Sequence, residues 1–193
     1  MARTGPVTKD TSTIAIGMAQ IRIGVSATYI DKVHAQLAAA DSIGALADTR
    51  FRGDTEWFRL ESGFRLIEDL ATPIKEMAAL ECTFREITPH NLAMAYGLDP
   101  SSLTTVHSGE MALGGRTSPV YLRMEALYTY PNGTNTMTII FPRAQVTSNA
   151  EMSFASSDAA GVAVTFESKN ASSDVTGGNA VWDNKPLGRI AWA

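Results

Sequence analysis

DTEWFRLES (Asp54–Ser62) and AALECTFREI (Ala78–Ile87) alternate core-type with charged residues, and TPHNLAMAYGL (Thr88–Leu98) directly follows the second. Alternation with a period of two marks a strand with one buried face. It predicts two strands on which Phe58 and Leu60, and then Leu80, Cys82 and Phe84, point to the core. Their opposite faces carry Arg59 and Glu61 on the first strand, and Glu81, Thr83 and Arg85 on the second. Residues 63–77 mix apolar side chains (Phe64, Leu66, Ile67, Leu70) with charged ones (Glu68, Asp69, Lys75, Glu76), which predicts a long connecting loop. Apolar residues on such a loop need a covering partner, and another subunit is the candidate. After the second strand, Thr88 as N-cap, Pro89 in the first turn and Gly97 at the end define a short helix. Leu92, Ala93, Tyr96 and Leu98 of this helix would cover a sheet, and His90 reads as an exposed polar residue.

Upstream, TIAIGMAQIRIGV (Thr13–Val25) reads as a strand whose apolar phase changes midway, so a bulge near Gly17 or Ala19 would keep both halves on one face. Tyr29–Asp48 is rich in alanine but interrupted by Gly44 and aspartates, which predicts a partly ordered loop rather than a helix. Downstream, Ser101–Gly115 reads as a loop. SPVYLRMEALYTY and TNTMTIIF flank Asn132-Gly133, the favoured pair for a type I′ hairpin turn. Val120, Leu122, Met124, Ala126 and Tyr128 mark one face of that hairpin, and Tyr121, Arg123 and Glu125 the other. Phe141-Pro142 would stop the strand before a new extended piece at Arg143–Val146. GVAVTFES (Gly161–Ser168) is a further strand, and 170–193 is a loosely structured segment with Gly177-Gly178 as a flexible point and Trp182, Ile190 and Trp192 as anchors.

The 193 residues and 45% hydrophobic content suit one domain spanning 1–193, with a polar N-terminal arm at 1–12. A net charge of −4 argues against a protein that grips nucleic acid, which requires clustered Lys and Arg. The single cysteine, Cys82, rules out an internal disulfide or a Cys-based zinc cluster and reads as a small buried hydrophobe. No segment has the apolar run of a secretory signal or a membrane span, which predicts assembly in the cytoplasm without membrane insertion. In that compartment the Asn-X-Ser/Thr triplets at Asn132 and Asn170 carry no message.

Catalytic constellations are missing: there is no phosphate loop, no His-Glu-x-x-His, no Gly-x-Ser-x-Gly and no cysteine pair. His34, His90 and His107 are scattered, and Glu68, Asp69 and Glu76 lack the spacing of a calcium loop. No cofactor, metal site or enzymatic activity is expected. The strand aromatics Trp57, Phe58, Phe84, Tyr121, Tyr128, Tyr130 and Phe166 suit cores or subunit seams, with a sugar-binding strip as the lesser alternative.

Three stretches together resemble the tail tube (major tail) proteins of tailed bacteriophages. They are LIEDLATPIKEMAALECTFREITPHNLAMAYGLDP (Leu66–Pro100), LYTYPNGTNTMTIIFPRAQV (Leu127–Val146) and GVAVTFESKNASSD (Gly161–Asp174). The resemblance implies a mainly antiparallel β-sandwich or barrel-like subunit with one short helix and long loops. Copies would form homohexameric rings, contribute strands to an inter-subunit β-barrel, and stack into a tube for genome delivery. It implies baseplate, terminator and sheath proteins as partners in a virion tail, with DNA passing transiently. Arg59, Glu61, Glu81, Thr83 and Arg85 would face the lumen, and Phe64, Leu66, Ile67, Glu68, Asp69 and Lys75 would make stacking or subunit contacts. Alternatives are another ring-forming tail or secretion-tube component, or a monomeric carbohydrate-binding β-module.

Overall fold

Among the described residues eight strands form one sheet, and every pairing within it is antiparallel. The structure, a computed structural model, describes residues 17, 19–62, 67–99, 110–111, 113–114, 120–153 and 160–193. The polar arm, Ile14, Ile16, Met18, His107 and most of the Ser101–Gly115 loop lie outside them. The strands are β1 (Gln20–Val25), β2 (Leu46–Ser62), β3 (Ile67–Phe84), β4 (Leu122–Thr129), β5 (Thr136–Val146), β6 (Met152–Ser153), β7 (Gly161–Ser168) and β8 (Arg189–Trp192), with helices α1 (Ser26–Tyr29) and α2 (Pro89–Ala95). The spatial order is β1-β4-β5-β7-β3-β2, with β6 beside β7 and β8 beside β5.

The sheet curls around a main core, and a second, smaller cluster of Ile140, Ala171 and Trp182 lies apart from it. Ile21 and Ile23 of β1, Leu122, Met124 and Ala126 of β4, Phe141 of β5, Val162, Val164 and Phe166 of β7, and Leu80, Cys82 and Phe84 of β3 meet in the main core, and Met94 of α2 closes it. The mainly β class, the β7 boundaries, the face assignment of β4 and the burial of Cys82 therefore match the sequence pattern. A bridge between Arg22 and Ser42 ties β1 to the segment before β2; among the described residues closure goes no further.

Helix α2 forms where its end signals stand. The Thr88 hydroxyl accepts from the Asn91 amide at 3.2 Å. Gly97 adopts φ +65°, letting Leu98 N–H reach Ala93 O and Gly97 N–H reach Met94 O, each at 2.8 Å. The buried side is Asn91, Ala93, Met94 and Ala95; Leu92, Tyr96 and Leu98 are half-buried. His90 is also half-buried rather than exposed, in the wall of a small cavity with Asp41 and Tyr29.

Several expectations are corrected. Residues 67–77 are not a loop but half of β3, which pairs with β2 along its whole length. The Thr72-Pro73 step is tolerated because Pro73 needs no N–H partner: β3 has a free outer edge there and a bulge at the next residue. Pro142 likewise does not stop β5. Two residues, Pro142 and Arg143, stand opposite Arg123 in a bulge, and the strand runs on to Val146. The Asn132-Gly133 pair is not the centre of a two-residue turn: Gly133 N–H bonds Tyr130 O, and Tyr130 N–H bonds Asn135 O, closing a four-residue loop. Asn132 Oδ1 completes it by accepting from Thr134 and Asn135.

The expected loose segment at 170–193 is ordered around Trp182, which is fully buried and donates Nε1–H to Ile30 O at 2.6 Å. Gly178 is a point of close approach rather than of flexibility, since a Cβ there would overlap the Ser172 carbonyl. Trp182 does anchor the segment; Ile190 and Trp192 instead lie on an exposed strand.

The second face of β4 is buried too, contrary to its charged composition. Arg123 and Glu125 are both 0% exposed, with Nε to Oε1 at 2.6 Å. The guanidinium also donates to the carbonyls of Tyr29, Lys32 and His34, and the carboxylate accepts from the Gln36 and Leu37 amides. The stretch expected to be a partly ordered loop is thereby stapled over β4, which lets a largely irregular segment hold one conformation.

Candidate assembly surface

β3 is held by β7 only from Ala79 to Phe84; from Ile67 to Ala78 its one partner is β2. At about 3.3 Å per residue, these twelve positions carry a two-stranded ribbon some 40 Å beyond the body. The outer edge of β2 has no strand beside it along its length, nor does β3 beyond Ala78, among the described residues. A lone two-stranded ribbon is marginal in water, and free edges invite pairing with another chain.

Register defines its faces. Thr49 opposes Cys82 and Phe51 opposes Leu80, and the Phe51 ring lies 6.3 Å from that of Phe141. The odd-numbered residues of β2 thus share the core side, and alternation carries Trp57, Arg59 and Glu61 onto that face of the ribbon. Phe58 and Leu60, expected in the core, share the opposite face with Arg50 and Arg52, and both are about half exposed. Phe58 opposes Thr72 and Leu60 opposes Leu70, which is 52% exposed, so the outer ribbon carries an uncovered apolar patch with Ile74 at the bulge beside it.

The residues expected in the lumen fall into two groups. Glu81 and Thr83 oppose Arg50 and Asp48 on the face away from the core, where a concavity of about 360 Å³ is walled by these four and by Ser148, Asn149 and Glu151. Arg52 reaches Glu81 at 4.0 Å. Arg85 lies just past β3, exposed, its amide bonded to Ala45 O. Arg59 and Glu61 stand nine and eleven β2 positions beyond Arg50, roughly 30 Å along the ribbon, and on its other face. Of the stacking candidates, Ile67, Glu68, Asp69 and Lys75 belong to the outer ribbon, and Phe64 and Leu66 lie outside the described residues. What sequence reasoning missed here is Phe58, Leu60 and Leu70 as one exposed surface. The signal was the parity of β2 read from Phe51 rather than from Phe58.

Cys82 sits under this sheet, and burial, with Asp48 nearby, pushes its thiol up to about 12. Among the described residues no group of three or more His, Cys, Asp and Glu side chains has metal-site geometry, and no helix is long and apolar enough to cross a membrane.

No protein-family model and no curated protein matches the chain. Solved structures similar to it include the tail of an empty GTA particle with C6 symmetry, at 12% identity and TM-score 0.42 over 79% of this chain and 92% of that one. The anti-feeding prophage cap, a tube terminating cap, is similar at 9% identity and TM-score 0.46 over 100% and 94%. The PVC sheath–tube complex of an extracellular contractile injection system in its extended state is similar at 10% identity and TM-score 0.45 over 95% and 94%. At these identities and scores these structures assign no function to this chain.

Proposed function

We propose that this chain is a self-assembling subunit of a tail-type tube. The observation that carries the proposal is the ribbon: two long strands leave the body with unpaired edges and an exposed apolar face, a form that other copies can complete. Copies join side by side into rings, taken as sixfold from the family resemblance, and the ribbon reaches the next copy so that head-to-tail contacts extend the stack. Baseplate, terminator and sheath proteins are the proposed partners at the ends and outside of that stack, within a virion tail.

The face holding Asp48, Arg50, Glu81 and Thr83, with Arg85 at its margin, is assigned to the channel wall. Mixed charge of small net sign suits a conduit for DNA, because dense Lys and Arg would bind the polyanion and hold it. Arg59 and Glu61, across the ribbon, are assigned to contacts between copies.

Electron microscopy of the purified chain at high concentration, with its mass in solution, tests this. Hollow tubes or stacked rings are expected, and Phe58→Ser with Leu60→Ser and Leu70→Ser should leave a folded monomer. A wild-type chain that stays monomeric at every concentration would refute the tube reading and turn attention to sugar binding.

A further inference from the structure

Large apolar side chains exposed among the described residues gather chiefly on the ribbon and at β8, where Trp192 is 66% exposed and Ile190 lies on the same face. β8 uses one edge to pair with β5, and its other edge has no strand beside it among the described residues. Each place thus offers unpaired backbone and uncovered apolar area. A head-to-tail contact needs two different surfaces of this kind on one molecule.

The two also match residue by residue. On β8, Ile190 and Trp192 occupy one face, and Arg189 and Ala191 the other. On β2, Phe58 and Leu60 occupy one face, and Arg59 and Glu61 the other. We infer that β8 of one copy adds antiparallel to the free outer edge of β2 in a second copy, with Leu60 opposite Ile190. This rests on the tube proposal and names the partner surface of the ribbon.

In that register Phe58 opposes Trp192, Glu61 opposes Arg189, and Arg59 opposes Ala191. A slip of one residue sets Ile190 and Trp192 against the charged face. A slip of two that brings Phe58 to Ile190 also brings Arg59 to Arg189, a like-charge pair that destabilises. Parallel addition keeps the apolar match but takes Glu61 away from Arg189. The ribbon's charge favours the same partner: residues 54–62 and 67–77 carry six carboxylates against two cations, Arg59 and Lys75. Arg189 supplies the opposite sign at the β8 edge, and Lys185 stands a few residues upstream.

Cross-linking tests the register. Directly opposed Cβ atoms in an antiparallel pair lie about 4.5–5.5 Å apart, close enough for a disulfide after a small adjustment. Leu60→Cys protein mixed with Ile190→Cys protein should form an intermolecular disulfide on oxidation of the assembled material. Leu60→Cys mixed with Ala191→Cys, whose side chains would face opposite ways, should give several-fold less. Cys82 is buried and does not compete. Separately, Glu61→Arg and Arg189→Glu should each raise the concentration needed for assembly by about fivefold, and mixing the two should restore it. Rings or tubes that form with equal cross-linking of the two mixtures, or charge variants that fail to rescue one another, overturn the β2–β8 contact and leave the tube proposal standing. A wild-type chain that never assembles removes both.

Discussion

Glu125→Gln preserves shape but removes one charge from a pair that has no access to water. Arg123 then keeps its cation without a counter-charge, and the new amide nitrogen replaces one carboxylate oxygen. Gln36 and Leu37 N–H currently donate to those oxygens at 2.9 and 3.1 Å, so one of them would face a donor. Leaving a buried charge unpaired costs about 3–5 kcal/mol. In a chain of this size, at roughly 2–4 °C per kcal/mol, that lowers the melting temperature by about 6–20 °C. Urea unfolding of the monomeric chain measures the loss, and hydrogen exchange at Gln36 and Leu37 locates it. The double change Arg123→Met with Glu125→Leu should recover only part of it, because the carbonyls of Tyr29, Lys32 and His34 and both amides still lose their partners. A Glu125→Gln protein destabilised by less than about 1 kcal/mol, with Gln36 and Leu37 amides still protected, would refute the stapling role.

Thr88→Ala removes the cap of α2 and should cost about 1 kcal/mol in urea unfolding. Gly178→Ala should destabilise more than Gly133→Ala. The first drives a Cβ into the Ser172 backbone, whereas the second meets open space and bears only the penalty of φ +71°, about 1–2 kcal/mol. The Cys82 thiol, at about 12 in the fold against a reference of 9.0, binds its proton more tightly when folded. The stability this confers is full below pH 9 and is lost as pH rises toward 12, at about 1.4 kcal/mol per pH unit; titration of unfolding free energy for wild type against Cys82→Ala should isolate the slope. Labelling of the native chain by thiol reagents at pH 8 should be slow for the same reason.

How much of this was legible in the sequence depended on whether local signals faced rival forces. α2 and β7 were readable because cap, proline, glycine and alternation agree with their surroundings. The length of β3 was hidden because Pro73 signals a break, and only the absence of a third strand at that position removes its cost. The burial of Arg123 and Glu125 was hidden because their partners are backbone groups some 90 residues away, on which composition is silent. The candidate surface was half legible. The need for a covering partner between 63 and 77 was clear, but the faces of β2 were assigned from Phe58, whereas the core contact is made by Phe51.

The bond from Trp182 to Ile30 spans 152 residues, and β8 lies beyond it in the chain. During synthesis the ribbon is therefore complete long before the strand that would receive it. Neighbouring nascent chains on one message expose many ribbons but no receiving edge, and Trp182 must be made before the last fastening of residues 29–37 can form. On the inferred β2–β8 contact, incomplete chains therefore cannot join one another: each junction waits for at least one subunit whose C-terminal segment has docked.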